Sequence, residues 1–236
     1  MTHSFAPFGG ALAQKLLVSA LVVGSMASVS LGTFASFTAQ ATNPSAVFAS
    51  GTLVLSNTKQ GGSACLSTAG GSTDTNANGG CDTLLNLTVK KPGDSGTANL
   101  TLRNEGSLAA SALKVFSSGC ANADATGESY HGTGAPCGKL QLYVQEYSDA
   151  GFTTASACRY GGSSDGGTTC DFSDATKTLG AFATAYGSST GGLALAGGLG
   201  AGASRYVKIG VKLPSDADNT YQGRKATADL AWYLEQ

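Results

Sequence analysis

The side chains with most chemistry to offer in this 236-residue chain are six cysteines: Cys65, Cys81, Cys120, Cys137, Cys158 and Cys170. Cysteines can ligate zinc, attack as thiolates or oxidise in pairs. Structural zinc sites use closely spaced ligands such as Cys-x-x-Cys, and that motif does not occur. The count is even, and each cysteine shares a Gly/Ser/Thr-rich stretch with one neighbour. Oxidation is therefore expected, with the economical pairing Cys65 to Cys81, Cys120 to Cys137 and Cys158 to Cys170. Closing a loop of this size in the unfolded chain is worth roughly 3 kcal/mol, which matters where Gly-rich loops raise the entropy cost of folding. Such a framework implies an oxidising compartment.

Other chemistries are weaker. Asp74, Asn76, Asn78 and Asp82 place oxygen ligands at alternating positions around Gly79, as a calcium loop does, but Leu85 stands where a closing carboxylate belongs. Downstream of residue 35 the single histidine is His131, in a Gly-rich stretch, and there is no His-Glu-x-x-His. A catalytic zinc would lack its nitrogen ligands, and the cysteines are committed to disulfides, so no catalytic residue and no cofactor are expected. Tyr130, Tyr143, Tyr147 and Tyr160 could stack on sugars, although only Tyr143 and Tyr147 share a strand face by their spacing. The charge balance, 14 basic against 15 acidic side chains, lacks the surplus that phosphate neutralisation demands, so nucleic acid is not an expected partner. Two sequons, at Asn86 and Asn99, fall inside strand patterns and read as coincidence.

The segment before these residues reads as an export signal. Leu16 to Gly32 carries no charge, follows Lys15 and precedes Thr33-Phe34-Ala35, the small-x-small pattern that a signal peptidase cuts. Ser19, Gly24, Ser25, Ser28, Ser30 and Gly32 dilute the run and no basic flank follows it, which argues against a retained anchor. The membrane would then be met only through this signal helix. A second small-x-small site lies at Ala39-Gln40-Ala41. Cleavage between Ala35 and Ser36 leaves about 200 residues, enough for one β-sandwich.

Period-two patterns supply the scaffold. A first strand is expected over Thr52 to Leu55, with a loop from Asn57 to Asp82. Leu85, Leu87 and Val89 alternate with polar residues; Lys91-Pro92-Gly93-Asp94 turns the chain, and Leu100 and Leu102 continue in a partner strand ending at Asn104-Glu105-Gly106. Further strands are expected at Ala112 to Ser117, over Leu140, Leu142 and Val144, over Val207 to Leu213 up to Pro214, and over Ala228 to Leu234 with Trp232 in the core. The second and third cysteine stretches, the latter from Ser148 to Thr176, read as loops, and Gly191 to Gly202 as a strand edge or loop. About eight or nine short strands and no amphipathic helix after residue 35 predict an all-β, antiparallel sandwich with long Gly-rich disulfide loops.

Three stretches carry a resemblance. LGTFASFTAQATNPSAVFASGTLVLSN, with its Phe48-Ala49-Ser50-Gly51-Thr52-Leu53 segment, KPGDSGTANLTLRNEGSL, and the closing run from Asn219-Thr220-Tyr221-Gln222-Gly223 to Gln236 are similar to the TasA/camelysin family of secreted bacterial matrix proteins. The resemblance covers both ends and part of the middle; the cysteine-bearing loops have no counterpart in it. It implies cleavage at Ala35/Ser36 by a dedicated signal peptidase, a jelly-roll-like sandwich over residues 50 to 236, and a structural subunit of an extracellular fibre or biofilm matrix, in company with an accessory matrix protein. The family has also been described as metallopeptidases, and a cell-surface carbohydrate-binding module is the other alternative. A physical route to a homopolymer exists in residues 36 to 49. Phe37, Ala39 and Ala41 form one small apolar face, Asn43-Pro44 interrupts pairing, and Phe48 re-enters the domain, so this segment can be donated as a strand to the next subunit.

Amino-terminal sequencing of the exported protein is expected to read Ser36-Phe37-Thr38. A start at Met1 or Thr42 would refute the processing argued here.

Overall fold

Residues 50–70, 76–86, 91–162 and 166–236 are described by a computed structural model. They form strands β1 (Leu55–Lys59), β2 (Ala64–Leu66), β3 (Ser95–Asn104), β4 (Ala112–Phe116), β5 (Cys120–Asp124), β6 (Gln141–Tyr147), β7 (Ala155–Tyr160), β8 (Leu193–Ala194), β9 (Ser204–Lys212), β10 (Arg224–Ala228) and β11 (Ala231–Glu235), with one α-helix, α1 (Leu179–Ala185). The strands make a six-stranded sheet in the order β2-β1-β3-β9-β6-β7, a three-stranded sheet β11-β4-β8 and a two-stranded sheet β10-β5, and every pairing is antiparallel.

Alternation sets the inner face. Opposite each other across the β3–β9 and β9–β6 ladders stand Leu100, Val207 and Glu146, then Ala98, Ile209 and Val144, then Val211 with Leu142. All of these are buried. Leu113 and Val115 of β4 and Leu234 of β11 belong to the same apolar cluster, so the small sheet covers the large one. The fold is an all-β antiparallel sandwich.

Five expectations change. The first strand begins at Leu55, and Asn57–Lys59 belongs to it, because its ladder to β3 runs from Leu55↔Asn104 to Lys59↔Leu100. Leu84 to Asn86 is not strand, Leu87 and Val89 lie outside the described residues, and β3 pairs with β1 and β9. The Pro-Gly turn explains the second point: Gly93 donates to the Leu213 carbonyl and Leu213 to that of Asp94, which feeds the chain onto β9. The cysteine stretches contain β2, β5 and β7. The final strand is two strands, β10 on β5 and β11 on β4, so the chain changes sheets near Asp229 and Trp232 is only partly buried. Helix α1 was not expected, since seven residues hold too few turns to show a period. Thr178 caps it by accepting from the Ala181 N–H at 3.2 Å. Leu179 and Phe182 on its one apolar face enter the core, where the Phe182 ring packs against Tyr160 and Tyr186, each at 5.1 Å between centroids.

Each disulfide joins sequence neighbours: Cys65–Cys81, Cys120–Cys137 and Cys158–Cys170, with separations of 16, 17 and 12. A loop carbonyl also restricts Gly106, where a Cβ would stand 2.2 Å from the Thr52 oxygen. Buried Asn104 closes this turn, its amide donating to Leu108 and Leu199 carbonyls while its oxygen accepts from the Gly106 N–H.

Phe182→Ala is expected to cost about 3–5 kcal/mol, the range for emptying a fully buried phenylalanine site. Denaturant unfolding should show a lower midpoint with an unchanged slope; a loss below about 1 kcal/mol would mean that α1 is not part of the cooperative core.

Candidate functional site

Strand β6 reads QLYVQEY, and strict alternation would leave Gln145 on the opposite face from Val144 and Glu146. Register shifts against β7 fall between Val144 and Gln145 and between Glu146 and Tyr147. Val144, Gln145 and Glu146 are all buried: Val144 and Glu146 face the core in the regular ladder to β9, and Gln145, on the opposite face, lies under the third cysteine loop. The Gln145 amide donates to the Ala157 and Thr168 carbonyls, both at 2.9 Å, and its oxygen accepts from the Cys170 N–H, tying the third cysteine loop to the sheet.

Glu146 is 1% exposed. Its Oε1 accepts from Arg159 Nε at 2.5 Å and from the Ala196 N–H at 2.8 Å, while Oε2 faces Arg205 Nη1 at 3.6 Å. Arg205 in turn donates to the Ala196 and Gly198 carbonyls. One carboxylate thus anchors the Gly/Ala-rich stretch 191–202 to β6, β7 and β9. Its acceptor sites are spent on the fold, which suits an anchor and not a proton-transfer group.

The other face of the six-stranded sheet carries Tyr143, Tyr147, Tyr206, Lys208 and Lys212 from β6 and β9, beside Thr97, Asn99, Thr101 and Arg103 of β3. Two loops wall it. Phe172, from the third cysteine loop, packs on Tyr143 at 4.9 Å, and Phe152 packs edge-on against Tyr147 at 5.7 Å and Tyr206 at 6.0 Å. Lys208 sits over the Tyr147 ring at 4.6 Å and donates to its hydroxyl, and Lys212 sits over Phe172 at 5.8 Å. Burial, reinforced by Tyr147, pushes the Tyr143 phenol up to about 12. The Tyr143 ring lies over Gly210, where a Cβ would stand 2.3 Å from it. Phe152 has φ of 55°, a left-handed conformation that costs of order 1 kcal/mol for a residue with a Cβ. Asp149 holds it there, accepting from the Thr154 and Thr153 N–H groups and the Thr153 hydroxyl. Those bonds, led by that of Thr154, keep its carboxyl below the usual carboxylate range.

The remaining residues singled out in the sequence lie apart. Ala35, Ser36, Phe37, Ala39, Ala41, Phe48 and Asp74 are outside the described residues. The Asn76 oxygen accepts from the Ser67 hydroxyl, and that of Asn78 from the Gly80 N–H. Both amides donate to backbone carbonyls, of Leu53 and Leu66, so these side chains fasten the first cysteine loop. Asp82 borders a small cleft with Lys59, an unfavourable neighbour for a cation. Among the described residues no group of three or more His, Cys, Asp or Glu side chains gathers to hold a metal. His131 is exposed and bonds the Gly223 carbonyl through Nδ1 at 2.7 Å. Tyr130 is 54% exposed and isolated from the others, whereas Tyr160 is buried in the α1 cluster. Phe152, Phe172, Glu146 and its arginines were not singled out. The loop phenylalanines carry no periodic signal, and a carboxylate at the inward position of Glu146 breaks the apolar alternation by which a core face is recognised.

The chain matches no protein-family model and no curated protein sequence. The three disulfides suit an oxidising, extracellular environment. No helix among the described residues is long and apolar enough to cross a membrane.

Asp149 supplies a test of the aromatic wall. With its folded pKa below the unfolded value of about 3.9, its contribution to stability is present above that pH and is lost as pH falls through the folded pKa. Asp149→Asn is expected to lower the melting temperature at pH 7, with the gap to the parent closing as pH falls below the usual carboxylate range and the carboxyl is protonated. A gap that persists unchanged at low pH would show that the charge is not what holds the loop.

Proposed function

We propose that this protein is a structural, non-catalytic subunit of an extracellular fibre or biofilm matrix, of the TasA/camelysin kind, that polymerises by donating residues 36 to 49 to the next copy. The observation that carries the reading is an antiparallel sandwich with each cysteine stretch cross-linked, lying downstream of an export-type segment and a short alternating apolar one. A sandwich of open sheets has edge strands, and an added strand gains main-chain hydrogen bonds along an edge. Extracellular survival is served by disulfides that restrict the unfolded chain. The jelly-roll winding, secretion with cleavage at Ala35/Ser36 and an accessory matrix protein belong to the same proposal. His131, bound to a backbone carbonyl, gives a peptidase reading no support.

Deletion of residues 36 to 43 is expected to leave a soluble, disulfide-bonded monomer with unchanged β-sheet circular dichroism that forms no fibres in negative-stain electron microscopy. Normal polymerisation of the truncated protein would overturn donation through this segment.

A further inference from the structure

The outer face of the six-stranded sheet has a floor and walls of different chemistry. Its floor, along β3 and β9, is polar: Thr97 and Thr101 present hydroxyls, and Asn99 is held by Gln60 through a 2.8 Å bond. Above it stand Lys208 and Lys212, with Arg103 at the end toward Glu105. No carboxylate occupies a described strand position on this face; Glu105 follows the end of β3 and is paired with Arg103 at 3.3 Å. The face is thus locally cationic on a chain whose formal charge is −1.

The lysines are placed and not loose. Tyr147 and Phe172 fix their ammonium groups through ring faces, and Lys208 spends one of its three N–H donors on the Tyr147 hydroxyl. A positioned ammonium loses less entropy on meeting an anion than a free surface lysine does. The same contacts decide against a stacked ligand. One face of Tyr147 and one of Phe172 carry a lysine, Tyr143 is packed between Phe172 and Gly210, and Tyr206 is packed by Phe152, so each ring on this face already has a partner where unstacked bases or a sugar ring would stack. What is left exposed is cation and hydroxyl along a shallow strip. That complements a chain bearing regularly repeated carboxylates and hydroxyls.

We propose that the strip along β3 and β9 binds a linear acidic polysaccharide through Lys208, Lys212 and Arg103. Recognition is by charge and hydrogen bonding, with the aromatic residues serving to position the cations. The site does not depend on polymerisation, since it lies on one sheet face of one copy.

Affinity electrophoresis and calorimetry of the purified, disulfide-bonded protein with polygalacturonate test this. Binding is expected at low salt and should weaken steeply as salt is raised. Lys208→Gln combined with Lys212→Gln should reduce affinity about tenfold or more while leaving circular dichroism unchanged. Lys114→Gln with Lys225→Gln, which removes the same charge from β4 and β10 in the other two sheets, should leave affinity intact. Fully methyl-esterified polygalacturonate, which keeps hydroxyls and loses charge, should not bind. The proposal is overturned if the parent protein fails to bind polygalacturonate, if the Lys208/Lys212 variant binds as well as the parent, if the distant pair matters equally, or if the neutral ester binds as tightly. Tighter binding of single-stranded DNA, sensitive to the same two lysines, would reassign the strip to nucleic acid.

Discussion

Everything in the large sheet depends on the register of β9 between β3 and β6. With side chains alternating, Val207, Ile209 and Val211 face the core while Tyr206, Lys208 and Lys212 face outward. A slip of one residue would exchange the two sets, placing two lysines in the apolar layer and three β-branched side chains in water. Burying an unpaired ammonium costs several kcal/mol after relaxation, so the slipped state is strongly excluded. The same constraint that builds the core therefore builds the cationic face. Tyr143 adds a local lock, because its ring fits over Gly210 and no larger residue leaves room for it.

A second constraint is the buried polar pair on β6. Gln145 holds the Cys158–Cys170 loop and Glu146 holds the Gly/Ala-rich stretch, each through backbone groups that would otherwise need other partners. Replacing a buried ion pair by apolar groups is often neutral for stability, so the gain here lies in specificity: two long loops of low complexity are given one position each. The third loop in turn supplies Phe172, and the Asp149 turn supplies Phe152. Loops without periodicity thereby shape the outer face.

This division explains what could be read in advance. The β9 alternation, Leu140–Val144 and the local cysteine pairing are short-range patterns, and the architecture they predicted is the one found. The pairing of β3 differs from the expectation because a Pro-Gly turn beside two alternating runs suggests a hairpin, whereas its Gly93 N–H and Asp94 carbonyl bond Leu213, just past the end of β9 and far along the sequence. Helix α1 escaped because its stability comes from two core side chains and a threonine cap and not from length. Of the outer face, Tyr143 and Tyr147 were legible as a pair on one side of a strand. Their occupation by Phe172 and Lys208 was not, since those contacts join positions 29 and 61 residues apart, and nothing in local spacing encodes them.

The aromatic residues show why residue type alone misleads. Tyrosines in a sandwich suggest stacking, yet Tyr143 is packed under Phe172, Tyr147 under Lys208 and Tyr160 in the α1 cluster, so each ring's face is already used. A ring with a cation on its face no longer offers that face to a ligand; it offers the cation, held at a defined height and short of part of its hydration shell. An aromatic ladder read as an apolar platform becomes, once its partners are placed, a support for positive charge. Binding chemistry on this sheet therefore follows from what covers the rings, and the cover is set by two loops that the buried Gln145 and the exposed Asp149 carboxylate hold in place.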